Sequence, residues 1–151
     1  MLVLETPQSL MEHVGREIAV SDWLAITQER IRAFAEVTDD RQWIHLDEER
    51  ARHESPFRTT VAHGFLTLSL LSHFVREGIR IEKVRLAVNY GLNKVRFPAP
   101  LPAGSNVRAR ITLLSAESVA GAVEATYHVV IEREHGEKPC CVADWIVRYY
   151  T

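Results

Sequence analysis

The sequence predicts an α+β domain in which a curved antiparallel sheet wraps around one buried central helix, and three observations carry that prediction. The run from Gly64 to Glu77 spreads Phe65, Leu66, Leu68, Leu70, Leu71, Phe74 and Val75 around the helical wheel, and a helix that is apolar on all sides must be enclosed. The second half of the chain changes to a period of two. Val107, Ala109, Ile111 and Leu113 alternate with Arg108, Arg110 and Thr112, and Val123, Ala125, Tyr127, Val129 and Ile131 alternate with Glu124, Thr126, His128 and Glu132. Such alternation belongs to antiparallel strands with one face on the core and one in water. Finally, the 151 residues contain no internal repeat and no Gly/Ser/Pro-rich linker, so a single domain spanning 1–151 is expected.

Each element has a local reason. Leu2-Val3-Leu4 is too short an apolar run for a signal peptide, and no later run approaches the roughly 18 residues of a membrane span, so a soluble, cytoplasmic protein is expected. Thr27 is placed to cap a helix over 28–38, with Ile31, Phe34, Ala35 and Val37 on or near its apolar face. Asp39 to Leu46 has neither helical nor strand period and reads as a loop. Asp47 then caps a short charged helix that ends at Ser55-Pro56. The enclosed helix follows, with Gly78 as its stop. Pro98, Pro100, Pro102 and Gly104 form the connection between Val95–Phe97 and a strand starting near Val107, and a last apolar strand runs from Cys140 to Tyr150.

Composition excludes several classes of function. Lys plus Arg number 18 against 20 Asp plus Glu, a net charge of −2, so no global positive field attracts nucleic acid or an anionic membrane. Neither partner is expected. Cys140 and Cys141 are adjacent, and neighbouring side chains on a strand point to opposite faces, so reduced thiols in a cytosol fit better than a disulfide. The seven histidines include no His-x-x-His or His-x-x-x-His pair and no thiolate cluster accompanies them, so no metal is expected.

Chemistry concentrates in Asp40-Arg41-Gln42-Trp43-Ile44-His45. A loop held at both ends can turn the carboxylate and the imidazole toward one point, giving a general base and a general acid. The same residue types also serve in turns as solvated side chains or helix caps, and spacing alone does not separate these roles. Ala62-His63-Gly64 opens the enclosed helix, where free N–H groups can receive negative charge developing on a carbonyl oxygen. Gly64 equally suits tight packing of the helix against the sheet. Ser72, within that helix, is most simply bonded to the preceding turn.

Asp40-x-x-x-Ile44-His45-x-Asp47, then Ala62-His63-Gly64 and Ser72, together resemble the signature of the MaoC-like dehydratases, (R)-specific enoyl-CoA hydratases of hot-dog fold. Val88-Asn89-Tyr90-Gly91-Leu92-Asn93 and Arg96-Phe97-Pro98-Ala99-Pro100 resemble the nodulation protein N-like and mycobacterial subgroup, and the likeness runs from about Ser21 to Tyr150. The resemblance implies Asp40 and His45 as catalytic residues, Gly64 N–H as the oxyanion hole, and Ser72 as a support that orients the aspartate. It implies reversible hydration of a trans-2-enoyl-CoA to an (R)-3-hydroxyacyl-CoA in fatty acid metabolism, in a homodimer, with no cofactor beyond the CoA of the acyl-CoA substrate. Asn93, Lys94 and Arg96 are candidates for substrate binding, the two cations for the CoA phosphates, although a solvated strand face accounts for them equally well. Leu66, Leu70, Val88 and Trp145 are candidates for the acyl tunnel. Three positions depart from the common motif: Asp39 replaces Gly, Gln42 replaces Asn and Trp43 replaces Pro. Asp39 must either avoid or adopt the left-handed backbone, and its carboxylate would perturb Asp40 if both pointed inward. A hot-dog thioesterase would need an acidic residue near the central helix, and residues 64 to 76 contain none. An acyl-CoA-binding subunit without activity would have no use for the acid/base pair.

Overall fold

The computed structural model describes residues Met1–Thr151. Strand β1 (Leu2–Leu4) and a 3-10 turn (Pro7–His13) precede β2 (Glu17–Val20) and β3 (Leu24–Ile26). Three helices follow: α1 (Gln28–Thr38), α2 (Trp43–Leu46) and α3 (Glu48–Glu54). The central helical segment comes next as α4 (Gly64–Ser69) and α5 (Leu71–Gly78), and then β4 (Ile79–Ile81), β5 (Leu86–Arg96), β6 (Ser105–Val119), β7 (Ala122–Arg133) and β8 (Cys141–Tyr150). The main sheet has the order β2-β6-β7-β8-β5 with β3 also on β6, all antiparallel, while β1 and β4 form a separate parallel pair. No helix is long and apolar enough to cross a membrane.

The period-two pattern sorts the sheet's faces as expected. Val107, Ala109, Ile111, Leu113, Ala125, Tyr127, Val129, Ile131, Ala143 and Val147 are buried and join Leu66, Leu71, Phe74 and Val75 of the central helices in one core. On the other face, the directly opposed pairs Arg108–Glu132 and Glu124–Arg148 form ion pairs across the strands, as cross-strand charges should, and opposed His128 and Asp144 share a hydrogen bond. Buried Tyr127 and Tyr149 satisfy each other by an O–H···O bond of 2.7 Å.

Several expectations need correction. The central helix is not continuous: Leu70 sits between α4 and α5 with ψ of −8°, and its N–H bonds to Thr67 O in a tightened turn. Nor is it enclosed on every side, because Phe65 is 69% exposed. Gly78 is the last helical residue and not a left-handed stop; a Cβ there would lie 2.6 Å from Ala19 Cβ on β2, so the glycine allows α5 and β2 to approach. Val37 faces water, and Asp39–Leu46 is not wholly a loop, since Trp43–Leu46 forms a helical turn. Cys140 and Cys141 are both buried as free thiols, and burial pushes each thiol up to about 11.

Candidate active site

The caps read from sequence hold the site's frame. Thr27 Oγ1 accepts the Arg30 N–H and Asp47 Oδ1 accepts the Arg50 N–H, at 3.1 and 3.0 Å. Each such cap is worth about 1 kcal/mol. Helix α1 ends on Asp39, which adopts the left-handed backbone with φ of 59° that glycine would otherwise supply. Its carboxylate is turned outward and accepts from Arg41, which also grips Glu36, so the charge neighbouring Asp40 in sequence is paired away from it.

Helix α2 carries His45 into the interior and is stitched to the segment before α4. Gln28 Nε2 donates to His45 O at 2.7 Å, Val61 N–H to Ile44 O at 3.1 Å, and His45 Nδ1 to Val61 O at 2.7 Å. The last bond fixes the tautomer: with its proton on Nδ1, the ring keeps a lone pair on Nε2 for proton transfer. Burial is the main cause that lowers the His45 pKa from its ordinary value; the bond to Val61 and the charge of Asp40 oppose it. The folded environment therefore favours the neutral imidazole.

Asp40 stands half-exposed opposite this ring, and His63, 2% exposed, completes the group. One carboxylate oxygen of Asp40 and one ring nitrogen each of His45 and His63 lie within 4.8 Å of one another. The two rings stack with centroids 3.8 Å apart and planes 23° from parallel. Stacked imidazoles point their in-plane lone pairs side by side, and Nδ1 of His45 and Nε2 of His63 are both committed to backbone carbonyls, so the set suits proton transfer better than an ion. The sequence reading treated His63 only as part of a motif and as a possible metal ligand. Its spacing gave no sign of its partners, the nearer of which in sequence is 18 residues away.

Gly64 begins α4 beside His63, and its N–H has no acceptor within the chain. Ser72 does not bond to Asp40; its Oγ donates to Ser69 O at 3.5 Å, and it lines a cleft of about 470 Å³ between α5 and the sheet. Trp145, Val75, Ala87 and Tyr149 also line this cleft. Of the four tunnel candidates Trp145 is there, its indole N–H fixed on Asn89 Oδ1 at 2.8 Å, whereas Leu66, Leu70 and Val88 are not among its walls. Asn93, Lys94 and Arg96 lie exposed on β5.

Comparison with known proteins sets this geometry in a family. The family model described as MaoC like domain matches residues 9–134. The chain is 49% identical over 150 residues to 3-hydroxyacyl-thioester dehydratase Z of Mycobacterium tuberculosis, covering 99% of each sequence. It is 43% identical over 135 residues to nodulation protein N of Rhizobium leguminosarum bv. viciae, covering 88% of this chain and 84% of the relative. Its fold matches the structure of a monoamine oxidase regulatory protein from Archaeoglobus fulgidus with a TM-score of 0.79 at 21% identity, over 100% of this chain and 99% of the other. With the family model matched over most of its length and relatives aligned nearly end to end, the chain belongs to the MaoC-like dehydratase family of hot-dog proteins.

Proposed function

We propose that the protein is an (R)-specific enoyl-CoA hydratase, adding water reversibly to a trans-2-enoyl-CoA to give the (R)-3-hydroxyacyl-CoA. The observation that carries this reading is the convergence of the Asp40 carboxylate and the neutral His45 imidazole within 4.8 Å, a distance that one water can bridge with two hydrogen bonds of about 2.8 Å each. As the water oxygen bonds to C3, the pair takes one of its protons; the pair then returns a proton to C2 on the same face and ends as it began. Negative charge moves onto the thioester oxygen, where the free Gly64 N–H receives it, a donor worth about 3 kcal/mol of barrier in comparable sites. No cofactor enters this chemistry, because CoA arrives with the substrate. The Trp145 cleft would take the acyl chain, Ser72 would support the site from its rim, and Asn93, Lys94 and Arg96 would meet the CoA moiety.

Crotonyl-CoA with separate readouts of enoyl absorbance and free thiol is the direct test. Loss of absorbance without thiol release is expected. Thiol release would instead make the protein a thioesterase, and an unchanged spectrum across an acyl-length series would leave only a binding subunit.

Substitution at Gly64 separates the oxyanion role from packing. A methyl there would meet the Phe97 ring at 3.2 Å, but Phe97 lies 43% exposed on the connection to β6 and has room to swing. Gly64→Ala should therefore leave the Tm almost unchanged, while kcat/KM falls progressively from glycine to alanine to valine as the thioester is kept from the N–H. Full activity in Gly64→Ala with a Tm lowered by many degrees would assign the glycine to packing.

Strand β5 is one edge of the main sheet, and Leu86, Tyr90 and Leu92 on it are exposed. An unpaired edge of 11 residues carrying these apolar side chains is a template for pairing, and the homodimer we propose would cover it with a second copy. Light scattering should give about twice the 17.2 kDa chain mass at micromolar concentration; a monomer would refute this assembly. The free thiols and the length of the helices fit a cytoplasmic setting.

A further inference from the structure

We propose that His63 is the positioning residue of the site: one buried ring that sets Asp40, His45 and Gly64 relative to one another. The inference rests on the hydratase reading for its catalytic consequence, but its geometry stands independently. His63 Nε2 donates to Asp40 O at 2.9 Å. Apart from that bond the aspartate is loosely held, since its carboxylate accepts only the Gln42 N–H, at 3.5 Å. The same ring stacks on His45 and meets the Phe34 ring, tilted by 56° with centroids 5.0 Å apart. His63 is also the residue before α4, so its backbone, with φ of −61° and ψ of 136°, places the Gly64 N–H. A hydrogen bond, a ring face and a peptide bond thus connect the three groups through one residue.

The donation to Asp40 requires the proton on Nε2, which leaves Nδ1 as a lone pair. That atom is fully buried and has no hydrogen-bond partner. A proton moved to Nδ1 would find no acceptor and would leave Asp40 O without its donor, so the geometry selects the Nε2–H tautomer. An imidazole bound this way, with Nε2 committed to a backbone carbonyl and its ring stacked on His45, contributes geometry.

Two variants divide the ring from the donor. His63→Phe keeps a flat ring against His45 and Phe34 but removes the donor to Asp40 O; His63→Gln places an amide N–H near the former Nε2 without a ring. Misplacement of a reacting group by about 1 Å costs about a hundredfold in rate, so His63→Phe should lose about that much kcat with KM altered less than about threefold. His63→Gln should recover about tenfold of the loss. Wild-type kcat in His63→Phe, or equal loss in both variants, would overturn the proposal. Nitrogen-15 ring shifts supply a readout independent of turnover: the Nε2–H tautomer of His63 is expected, and the Nδ1–H tautomer would overturn the assignment. A wild-type protein that hydrates no enoyl thioester would defeat the hydratase reading while leaving the tautomer result to judge His63.

Discussion

Asp40→Asn and His45→Gln should each lower kcat for enoyl-CoA hydration by at least about a hundredfold, because each removes a proton-transfer group that typically contributes two to four orders of magnitude. Stability should separate the two. Asp40 is half-exposed and makes one weak side-chain bond, so its amide should melt within a few degrees of wild type. His45→Gln also leaves buried Val61 O without its donor, at a cost of about 1 to 3 kcal/mol. His45→Asn, whose amide nitrogen falls near the old Nδ1, should be as inactive but more stable. Since burial holds the folded His45 below its ordinary value of 6.5, protons favour the unfolded chain. Its contribution to stability is therefore complete above that value and lost as pH falls toward the folded pKa. The acid limb of kcat/KM should likewise lie below 6.5. Activity near wild type in Asp40→Asn or His45→Asn would remove the pair from the reaction.

The largest structural effect of a single methyl is expected at Gly78. Helix propensity alone favours alanine by up to about 1 kcal/mol, and the backbone there is not left-handed. Yet the new Cβ would stand 2.6 Å from Ala19 Cβ, a stiff contact against a strand that can be relieved only by moving β2 or α5. Overpacking of this kind costs about 1 to 3 kcal/mol, and at about 2 to 4 °C per kcal/mol the Tm should fall by several degrees despite the better propensity. Adding Ala19→Gly should restore most of the loss. A Tm unchanged in Gly78→Ala, measured by thermal denaturation, would mean that α5 and β2 do not meet this closely.

The contrast between Gly64 and Gly78 indicates what sequence could and could not reveal. Both occupy helix ends, and propensity treats them alike; only the neighbour across space, a yielding Phe97 ring or a fixed Ala19 methyl, distinguishes them. Features governed by local rules were legible: the caps at Thr27 and Asp47, the alternation in β6, β7 and β8, and the proline-rich connection. Strands β1, β2, β3 and β4 were not, because three or four residues do not establish a period and their pairing depends on distant partners. The break at Leu70 left no mark either, since leucine favours helix and the tightening serves packing. For the candidate site, motif residues pointed to Asp40, His45 and Gly64, whereas the contacts between them run through His63 to residues 18 and 23 positions away.

The two buried thiols also make this molecule a clock for its own opening. With each thiol pushed up to about 11, almost no thiolate exists at neutral pH, and the sulfurs lie under the sheet where alkylating reagents do not reach. Labelling must wait for β8 and the Cys140 just before it to separate from β7. The rate at which a thiol reagent consumes two equivalents therefore reports how often that strand detaches, and bound acyl-CoA, if it rests against Trp145 on the same strand, should slow the clock.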